Sequence, residues 1–193
     1  AMKVLNILSS HYDQAFNNVL MDTFNTSLES NGHSQETIDL YKASFNPVMN
    51  GDDFNQFMNK EMPKEILDLQ TKVSESDVLT FFYPVWWNDM PAIMKGWIDR
   101  VFSKGFAYDY GADGSKGMLG HIKKVILVCT LGNSQEEVVS SGLENAMRTK
   151  EEAGVFKYSG VQEVEHHFLY DVYKSEDIRN NYLDLMKTIA KNI

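Results

Sequence analysis

Five short runs of apolar residues alternate along the chain with longer segments whose apolar residues recur at helical spacing. The runs cover residues 3–9, 34–41, 78–83, 125–129 and 161–170. Continuous β-branched and aromatic runs are typical of strands that are buried on both faces. Strands that alternate with helices indicate a parallel sheet covered by helices on both sides. The pattern therefore predicts an α/β fold, with a five-stranded parallel sheet in one domain that spans residues 1–193.

Local signals place the helices between these strands. Helical spacing covers residues 15–31, 64–76 and 135–149, and Ser175 is a suitable N-cap for a last helix that ends near residue 192. Residues 52–57 suit a short helix. Another helix begins at Asp89 as N-cap, carries Pro91 in its first turn and ends near Lys104-Gly105. Residues 108–120 hold four glycines, and we expect them to form a mobile loop.

Composition narrows the classes of partner. A length of 193 residues suits one domain with a full core. The formal net charge of −9 argues against nucleic acid and anionic membrane surfaces as partners. No apolar run approaches the roughly 20 residues that cross a bilayer, so we expect no membrane insertion. With a single cysteine, Cys129, and no signal-peptide pattern at its start, the chain is expected to be cytoplasmic.

The stretch at residues 80–110 holds the strongest chemical signal. A buried strand ends at Pro84, a short loop carries Trp86 and Trp87, and a helix follows. A strand–loop–helix unit places backbone N–H groups and the positive end of a helix dipole at the carboxyl edge of a sheet. Flanking indole rings make that edge suitable for a flat cofactor such as a flavin. Ordinary packing of two tryptophans in the core is the competing interpretation.

A second turn of the same kind follows the first strand. Residues 10–14 are polar and lead into a helix, an arrangement that can hold a phosphate group. The turn matches neither the G-x-G-x-x-G nor the Walker pattern, so an ordinary strand–helix turn is an equal alternative.

Metal and nucleophile chemistry have little support in the pattern. His166 and His167 are adjacent in a predicted strand and therefore point to opposite faces, which does not suit one metal ion. No histidine at a recognisable spacing pairs with Cys129, which is expected to be a small core residue. Ser9 and Ser10 lack a nucleophile-elbow setting. We expect no metal site and no hydrolase activity.

The stretch at residues 83–108 resembles the signature of the NAD(P)H:quinone oxidoreductase family of flavodoxin-like proteins. DT-diaphorase and the ancillary oxidoreductases of potassium-efflux systems belong to this family. The matching segments are YPVWW at 83–87, PAIMKGW at 91–97, DRVF at 99–102 and GFAY at 105–108. The resemblance implies a flavodoxin-like sheet with strand order 2-1-3-4-5. In that order the loops after the first, third and fourth strands are neighbours.

The resemblance also assigns residues to a site. The implied flavin-binding residues are Ser10, His11, Ala15, Phe16, Asn17, Pro84, Val85, Trp86, Trp87, Asn88, Thr130, Leu131, Gly132 and Asn133. The implied substrate-pocket residues are Trp87, Phe106, Tyr108 and Tyr110. Four positions depart from the family pattern. Ser10 replaces a histidine whose role the neighbouring His11 either takes over or leaves vacant, and Leu131 replaces a glycine. Val138 and Glu144 fall near positions that carry Tyr and His in relatives, so no catalytic residue is assigned.

We expect a flavin-dependent oxidoreductase that transfers hydride from NADH or NADPH to quinones or similar flat small-molecule acceptors. FMN is the expected cofactor, with FAD as the alternative, because residues 46–77 lack the long insertion of FAD-using relatives and no Lys or Arg cluster adjoins residues 10–17.

The family also implies a homodimer, to which the helix with Trp97 and residues 108–120 would contribute. A flavin- and nucleotide-binding regulatory subunit of a membrane cation transporter is the alternative function. A flavodoxin-type electron carrier is a third.

Overall fold

The computed structural model describes all residues, 1–193. The elements follow in the order β1 (Lys3–Leu8), α1 (Phe16–Ser30), β2 (Ser34–Asp39), a 3₁₀ helix (Gly51–Met58), α2 (Lys64–Ser74), β3 (Val78–Pro84), α3 (Ala92–Val101), β4 (Tyr108–Gly111), β5 (Gly114–Gly117), β6 (Lys124–Thr130), α4 (Gln135–Ser140), α5 (Leu143–Arg148), a π-helix (Thr149–Lys157), β7 (Glu163–Leu169) and α6 (Glu176–Lys191).

Five parallel strands form one sheet in the order β2-β1-β3-β6-β7. These are the five predicted strands, and the order is the predicted 2-1-3-4-5. The central strands are buried along almost their whole length, as their apolar composition requires. The carboxyl ends of β1, β3 and β6 therefore lie side by side at one edge, which confirms that the three loops are neighbours.

Each face of the sheet has its own core. One cluster of 15 buried residues packs α1 and α6 against Val4, Val78 and Ile126. The other, of 28 buried residues, includes Tyr83, Cys129 and Trp97, which is 0% exposed. The alternation of side chains along β3 sends Phe82 to the first core and Tyr83 to the second. The side chain of Tyr83 thus lies on the face covered by α3 and the π-helix.

The glycine-rich segment does not form the expected loop. Residues 108–117 fold into an antiparallel hairpin of β4 and β5, with Tyr108 opposite Gly117. Gly114 takes a φ of +105° at the turn, a conformation that favours glycine. At Gly117 an added Cβ would lie 2.2 Å from the backbone nitrogen of Gly160, so this glycine permits a close backbone approach. Two of the four glycines, Gly114 and Gly117, thus serve a turn and a close packing contact.

The bounds of α3 also correct the sequence prediction. The N-cap is Pro91 rather than Asp89, because the Asp89 carboxylate accepts instead from the backbone N–H of Met90 at 2.7 Å. The helix ends at Val101, and the side chain of Gln70 donates to the Val101 carbonyl at 3.0 Å. Gly105 has a φ of +86°, in a turn that lies beyond the helix rather than at its C′ position.

The predicted helix at residues 135–149 is two short helices. α4 and α5 are separated by Gly142, whose φ is +81°, and the chain then continues as the π-helix. The short helix expected at residues 52–57 forms as the 3₁₀ helix, and Ser175 caps α6 as expected.

A buried ion pair fixes α3 against the 3₁₀ helix. The Arg100 guanidinium donates to both oxygens of Asp53 at 3.0 and 3.3 Å, and to the carbonyl of Asn46 at 2.8 Å. Both charged side chains are at most 3% exposed. Nearby, Gly96 lets the backbone of Pro47 approach so closely that a Cβ would lie 2.3 Å from its carbonyl oxygen. None of the helices has the length and apolar character to cross a membrane.

Candidate active site

Three loops meet at the carboxyl edge of the sheet, where β1, β3 and β6 end. The Ser9 N–H donates to the Phe82 carbonyl at 3.0 Å, and the Val85 N–H donates to the Thr130 carbonyl at 2.9 Å. These bonds extend the strand pairing one residue into each loop, so the starts of the loops are fixed relative to one another.

A cavity of about 260 Å³ opens between these loops, α1 and the start of α6. Its wall includes seven of the residues that were predicted to bind the cofactor: Ser10, His11, Ala15, Phe16, Asn17, Pro84 and Thr130. The structure therefore brings together predicted residues that lie more than 100 positions apart in the sequence. The remaining predicted residues lie on the loops beside the cavity.

The start of α1 has free hydrogen-bonding capacity toward this cavity. Its N-cap, Ala15, supplies no side-chain bond to the first backbone N–H groups, and the first turn holds no acidic residue. The buried Ser9 Oγ and Asn17 Oδ1 atoms have no hydrogen-bond partner in the chain. Asn17 is held by its amide nitrogen, which donates to Thr130 Oγ1 at 3.0 Å. Unpaired buried polar atoms and an uncapped helix N-terminus suit a hydroxylated ligand that carries a phosphate.

Arg179 is a residue of this cavity that the sequence did not indicate. It lies in the first turns of α6, lines the cavity, and donates to the Val172 carbonyl at 3.1 Å. It is the one Lys or Arg residue that lines the cavity, so it adds a single cation near residues 10–17 and not a cluster. No sequence signal marks it, because α6 reaches the cavity only through the packing of α6 on α1.

The tryptophan loop, residues 85–90, is a tight turn. Backbone hydrogen bonds of 3.0 and 3.2 Å join Trp86 and Asp89 in both directions. Trp87 and Asn88 between them have φ values of +51° and +58°, a left-handed conformation that is unfavourable for residues other than glycine. Trp87 is 97% exposed, so it has almost no packing role within its own chain. Trp86 is 41% exposed and lies near His11, with ring centroids 5.4 Å apart.

The loop after β6 offers mainly backbone to the site. Leu131 is buried in the core, so the substitution for glycine leaves the loop surface free of its side chain. An added Cβ on Gly132 would lie 3.3 Å from the ring of Tyr173, a residue that lines the cavity and is itself exposed. Asn133 accepts from the Asp171 N–H at 3.0 Å.

Comparisons with known proteins agree with this geometry. The family described as flavodoxin-like fold matches residues 2–191. An uncharacterised NAD(P)H oxidoreductase of Escherichia coli (strain K12) is 32% identical over 75% of this chain and 72% of its own length. NAD(P)H dehydrogenase [quinone] 1 of Cavia porcellus is 28% identical over 99% of this chain and 77% of its own. The solved NAD(P)H:quinone oxidoreductase of Methanothermobacter marburgensis superimposes with a TM-score of 0.92 at 25% identity, covering 100% of this chain and 98% of the other.

The chain belongs to the NAD(P)H:quinone oxidoreductase family. It is an oxidoreductase with the flavodoxin-like fold, as the resemblance at residues 83–108 implied.

The four aromatic residues that the family resemblance assigns to the substrate pocket lie outside the cavity. Tyr108 and Tyr110 contact each other on β4, with ring centroids 5.7 Å apart, and Tyr108 also contacts Tyr158. Burial raises the pKa of the Tyr108 phenol, with a further contribution from Tyr110. Neither these residues nor Trp87 and Phe106 line the cavity, so a single chain of this oxidoreductase does not close a pocket with them.

The family positions that carry Tyr and His elsewhere are engaged in other contacts. Val138 is buried in the core. Glu144 accepts from the Tyr170 hydroxyl at 2.6 Å and pairs with Arg148 at 3.5 Å. Val138 has no ionisable group, and the Glu144 carboxylate is engaged by Tyr170 and Arg148.

A polar cluster lies in the core below the loops that follow β3 and β6. The Tyr83 hydroxyl donates to Glu151 Oε2 at 3.1 Å, and His166 Nε2 lies 3.3 Å from the same oxygen. Cys129 Sγ lies 3.7 Å from His166 Nε2, so the thiol has a histidine neighbour that spacing did not indicate. Burial raises the pKa of that thiol well above its usual range, which makes Cys129 a core residue rather than a nucleophile.

Burial also shifts the two other titratable groups of the cluster. It raises the pKa of Glu151 to about 7, and it lowers the pKa of His166 to about 3, with help from the nearby Arg148. His167 points to the other face of β7 and pairs with Glu165 at 3.1 Å. The two histidines therefore lie on opposite faces of the strand, as their adjacency in the sequence predicted.

Proposed function

We propose that this protein is a flavin-dependent NAD(P)H oxidoreductase that reduces quinones or similar flat aromatic acceptors by two-electron hydride transfer. The observation that carries the proposal is the meeting of three loops around a cavity that has an uncapped helix N-terminus in its wall, with the exposed indoles of Trp86 and Trp87 on the adjoining loop. A ring system with a phosphorylated side chain matches both halves of that arrangement.

The residues divide between the two halves of the cofactor. The free N–H groups of α1, the Ser9 hydroxyl and Arg179 suit the phosphate and the polyol chain. The tryptophan loop and the backbone around Gly132 suit the ring. A bound flavin supplies the hydride chemistry, accepting from NADH or NADPH and donating to the acceptor. The chain's part is to bind the ring, orient it and exclude water from one of its faces.

FMN is the proposed cofactor rather than FAD. The interval between Asn46 and β3 is filled by the 3₁₀ helix, which the Asp53–Arg100 pair holds against α3, and by α2, which packs on the core through Ile66 and Val73. No extra segment is available to cover an adenylate. Arg179 is a single cation, and it would pair with the phosphate at the start of α1. No second cation is then left for the second phosphate of FAD.

A homodimer completes the proposal. Tyr108 and Tyr110 are partly exposed on the hairpin and have no cavity of their own, which supports a pocket whose second wall comes from another copy of the chain. Trp97 itself is fully buried in its own subunit, so only the outer face of α3 is available for that contact. The cytoplasmic location expected from the sequence stays a prediction.

Titration of the cofactor-free protein with FMN, FAD and riboflavin tests the cofactor proposal. We expect FMN to bind most tightly, FAD no better, and riboflavin more weakly because it lacks the phosphate. An Arg179→Met variant is expected to lose FMN affinity while riboflavin affinity is unchanged; Lys187→Met, an exposed lysine far along α6, is the control. Tighter binding of FAD than of FMN would show that the choice of cofactor is wrong.

Turnover separates the enzyme from the regulatory alternative. The FMN-loaded protein is expected to oxidise NADH or NADPH when menadione is present. Flavin-loaded protein that binds nucleotide without any turnover would favour a regulatory subunit instead.

A further inference from the structure

The tryptophan loop needs support from outside itself. Trp87 and Asn88 adopt the left-handed conformation, which costs free energy in residues with a Cβ. The backbone bonds between Trp86 and Asp89 close the turn, but both of them lie within the loop. A contact from a packed element is required to hold such a turn in one orientation.

Lys150 of the π-helix makes that contact. Its ammonium lies 2.5 Å from Asp89 Oδ1, the same carboxylate atom that accepts the Met90 N–H before the start of α3. The ammonium also lies 3.8 Å from Glu151 Oε1. Lys150 therefore stands between a carboxylate of the loop and a carboxylate of the buried cluster.

Glu151 is the unusual member of this arrangement, because it is only 2% exposed. Its Oε2 atom is engaged by Tyr83 and His166, whereas its buried Oε1 atom has no hydrogen-bond partner. Lys150 is the cation beside that unpartnered oxygen. An ionised Glu151 therefore attracts the ammonium, and a neutral one does not.

We propose that Lys150 and Glu151 are positioning residues for the tryptophan loop: the ammonium bridges Asp89 and an ionised Glu151, and the bridge loosens when Glu151 is neutral. The relevance of the bridge to flavin binding rests on the proposed function, but the response of the loop does not. Since the pKa of Glu151 is raised to about 7, the bridge changes state in the neutral pH range.

Several other charged and titratable groups face Glu151 and share in this equilibrium. They are Tyr83 of β3, Asp89 of the tryptophan loop, Cys129 of β6, His166 of β7, and Arg148, Lys150 and Glu152 of its own helical segment. His11 is a separate titratable group beside Trp86 and has to be distinguished by experiment.

Fluorine NMR of the full chain labelled with 5-fluorotryptophan tests the proposal, with and without added FMN. The three tryptophans give three resonances, assigned by single Trp→Phe variants. In the wild type we expect the Trp86 and Trp87 resonances to titrate with a midpoint of about 7, and the buried Trp97 resonance to stay unchanged. Glu151→Gln and Lys150→Met are expected to remove the titration, and Lys150→Arg to retain it.

The matched control is Lys157→Met, which removes an exposed lysine from the same π-helix without touching the loop. It is expected to titrate like the wild type. Loop resonances that do not titrate in the wild type would overturn the proposal. A titration of the loop resonances that persists in Glu151→Gln would also overturn the proposal. If that titration were then lost in His11→Gln, His11 would be the group responsible.

A second measurement links the bridge to the cofactor. Lys150→Met is expected to weaken FMN binding about fivefold at pH 8, the effect of losing one partly exposed ion pair, and to weaken it less at pH 6. An equal loss at both pH values would contradict the role of Glu151. Failure of the wild type to bind FMN would instead count against the proposed function, and the fluorine titration would still test the bridge.

Discussion

At the scale of single residues, burial separates side chains that look alike in the sequence. Trp87 and Trp97 are ten positions apart in one signature stretch, yet Trp87 is 97% exposed and Trp97 is 0% exposed. The first is free to contact a ligand, and the second packs against Phe81 and Phe102. The pattern alone left two interpretations open for Trp86 and Trp87, a flat cofactor or packing in the core, and the family resemblance assigned them to the cofactor.

Replacing each tryptophan by alanine should therefore give opposite results. Trp87→Ala is expected to leave the free energy of unfolding unchanged and to weaken FMN binding by about 1–3 kcal/mol, the contact of one aromatic side chain. Trp97→Ala is expected to cost about 3–5 kcal/mol of stability because it leaves a cavity. Urea denaturation of the cofactor-free proteins and FMN titration measure both effects. Unaltered FMN affinity in Trp87→Ala would remove that residue from the site.

Glu151 was not singled out from the sequence, because nothing in a run of charged helical residues marks the one that faces the core. Because its pKa is raised to about 7, Glu151 holds a proton in the folded chain that it loses in the unfolded chain between pH 4.5 and about 7. Its contribution to stability therefore falls as pH rises through that window. His166, with a pKa lowered to about 3, acts in the opposite direction below pH 6.5. In the wild type, the pH dependences of stability that these two residues cause therefore partly cancel.

Glu151→Gln should remove one side of that balance. Its stability relative to wild type is expected to rise with pH between 4.5 and 7, reaching up to about 3 kcal/mol, and to stay level above pH 7. Urea denaturation across this range measures the difference. Glu136→Gln, the same change at an exposed site of α4, should show no such trend. A relative stability of Glu151→Gln that does not depend on pH would show that Glu151 is not held neutral by burial.

At the scale of elements, the pattern predicted what local sequence controls. The buried apolar runs correctly predicted the strands of the sheet, and Ser175 correctly predicted the start of α6. The errors occur where distant residues decide the outcome. α3 begins later than Asp89 suggested and ends earlier than Gly105 suggested, because the Asp89 carboxylate is engaged by the Met90 N–H and by Lys150, and because Gln70 caps Val101. Arg179 reached the site for the same reason, through packing of a distant helix.

The Arg100–Asp53 pair shows how far such a contact controls an element. Asp53→Asn is expected to destabilise the fold by about 3–5 kcal/mol, because the buried guanidinium would lose its counter-charge. Glu65→Gln removes the second carboxylate near Arg100, which lies 3.5 Å away and is 55% exposed, and should cost at most about 1 kcal/mol. Thermal unfolding of the two variants checks the contrast. Equal effects would mean that burial does not set the strength of the pair.

At the scale of the whole molecule, the cavity at the sheet edge and the aromatic hairpin are separate features of the subunit. In the proposed function, the acceptor pocket is therefore completed by a second copy of the chain. We therefore expect light scattering to give twice the 22.1 kDa chain mass at micromolar concentration. Tyr110→Ala is expected to raise the KM for the acceptor and to leave FMN affinity unchanged. A fully active monomer would contradict the shared pocket.

The central claim is that this chain holds a flavin which passes hydride from a nicotinamide nucleotide to a flat acceptor. The most direct measurement follows the absorbance of the oxidised flavin in FMN-loaded protein without oxygen. Addition of NADH or NADPH in equal amount is expected to bleach the flavin, and menadione added afterwards is expected to restore the absorbance. A bound flavin that stays oxidised in the presence of both nucleotides would contradict the account.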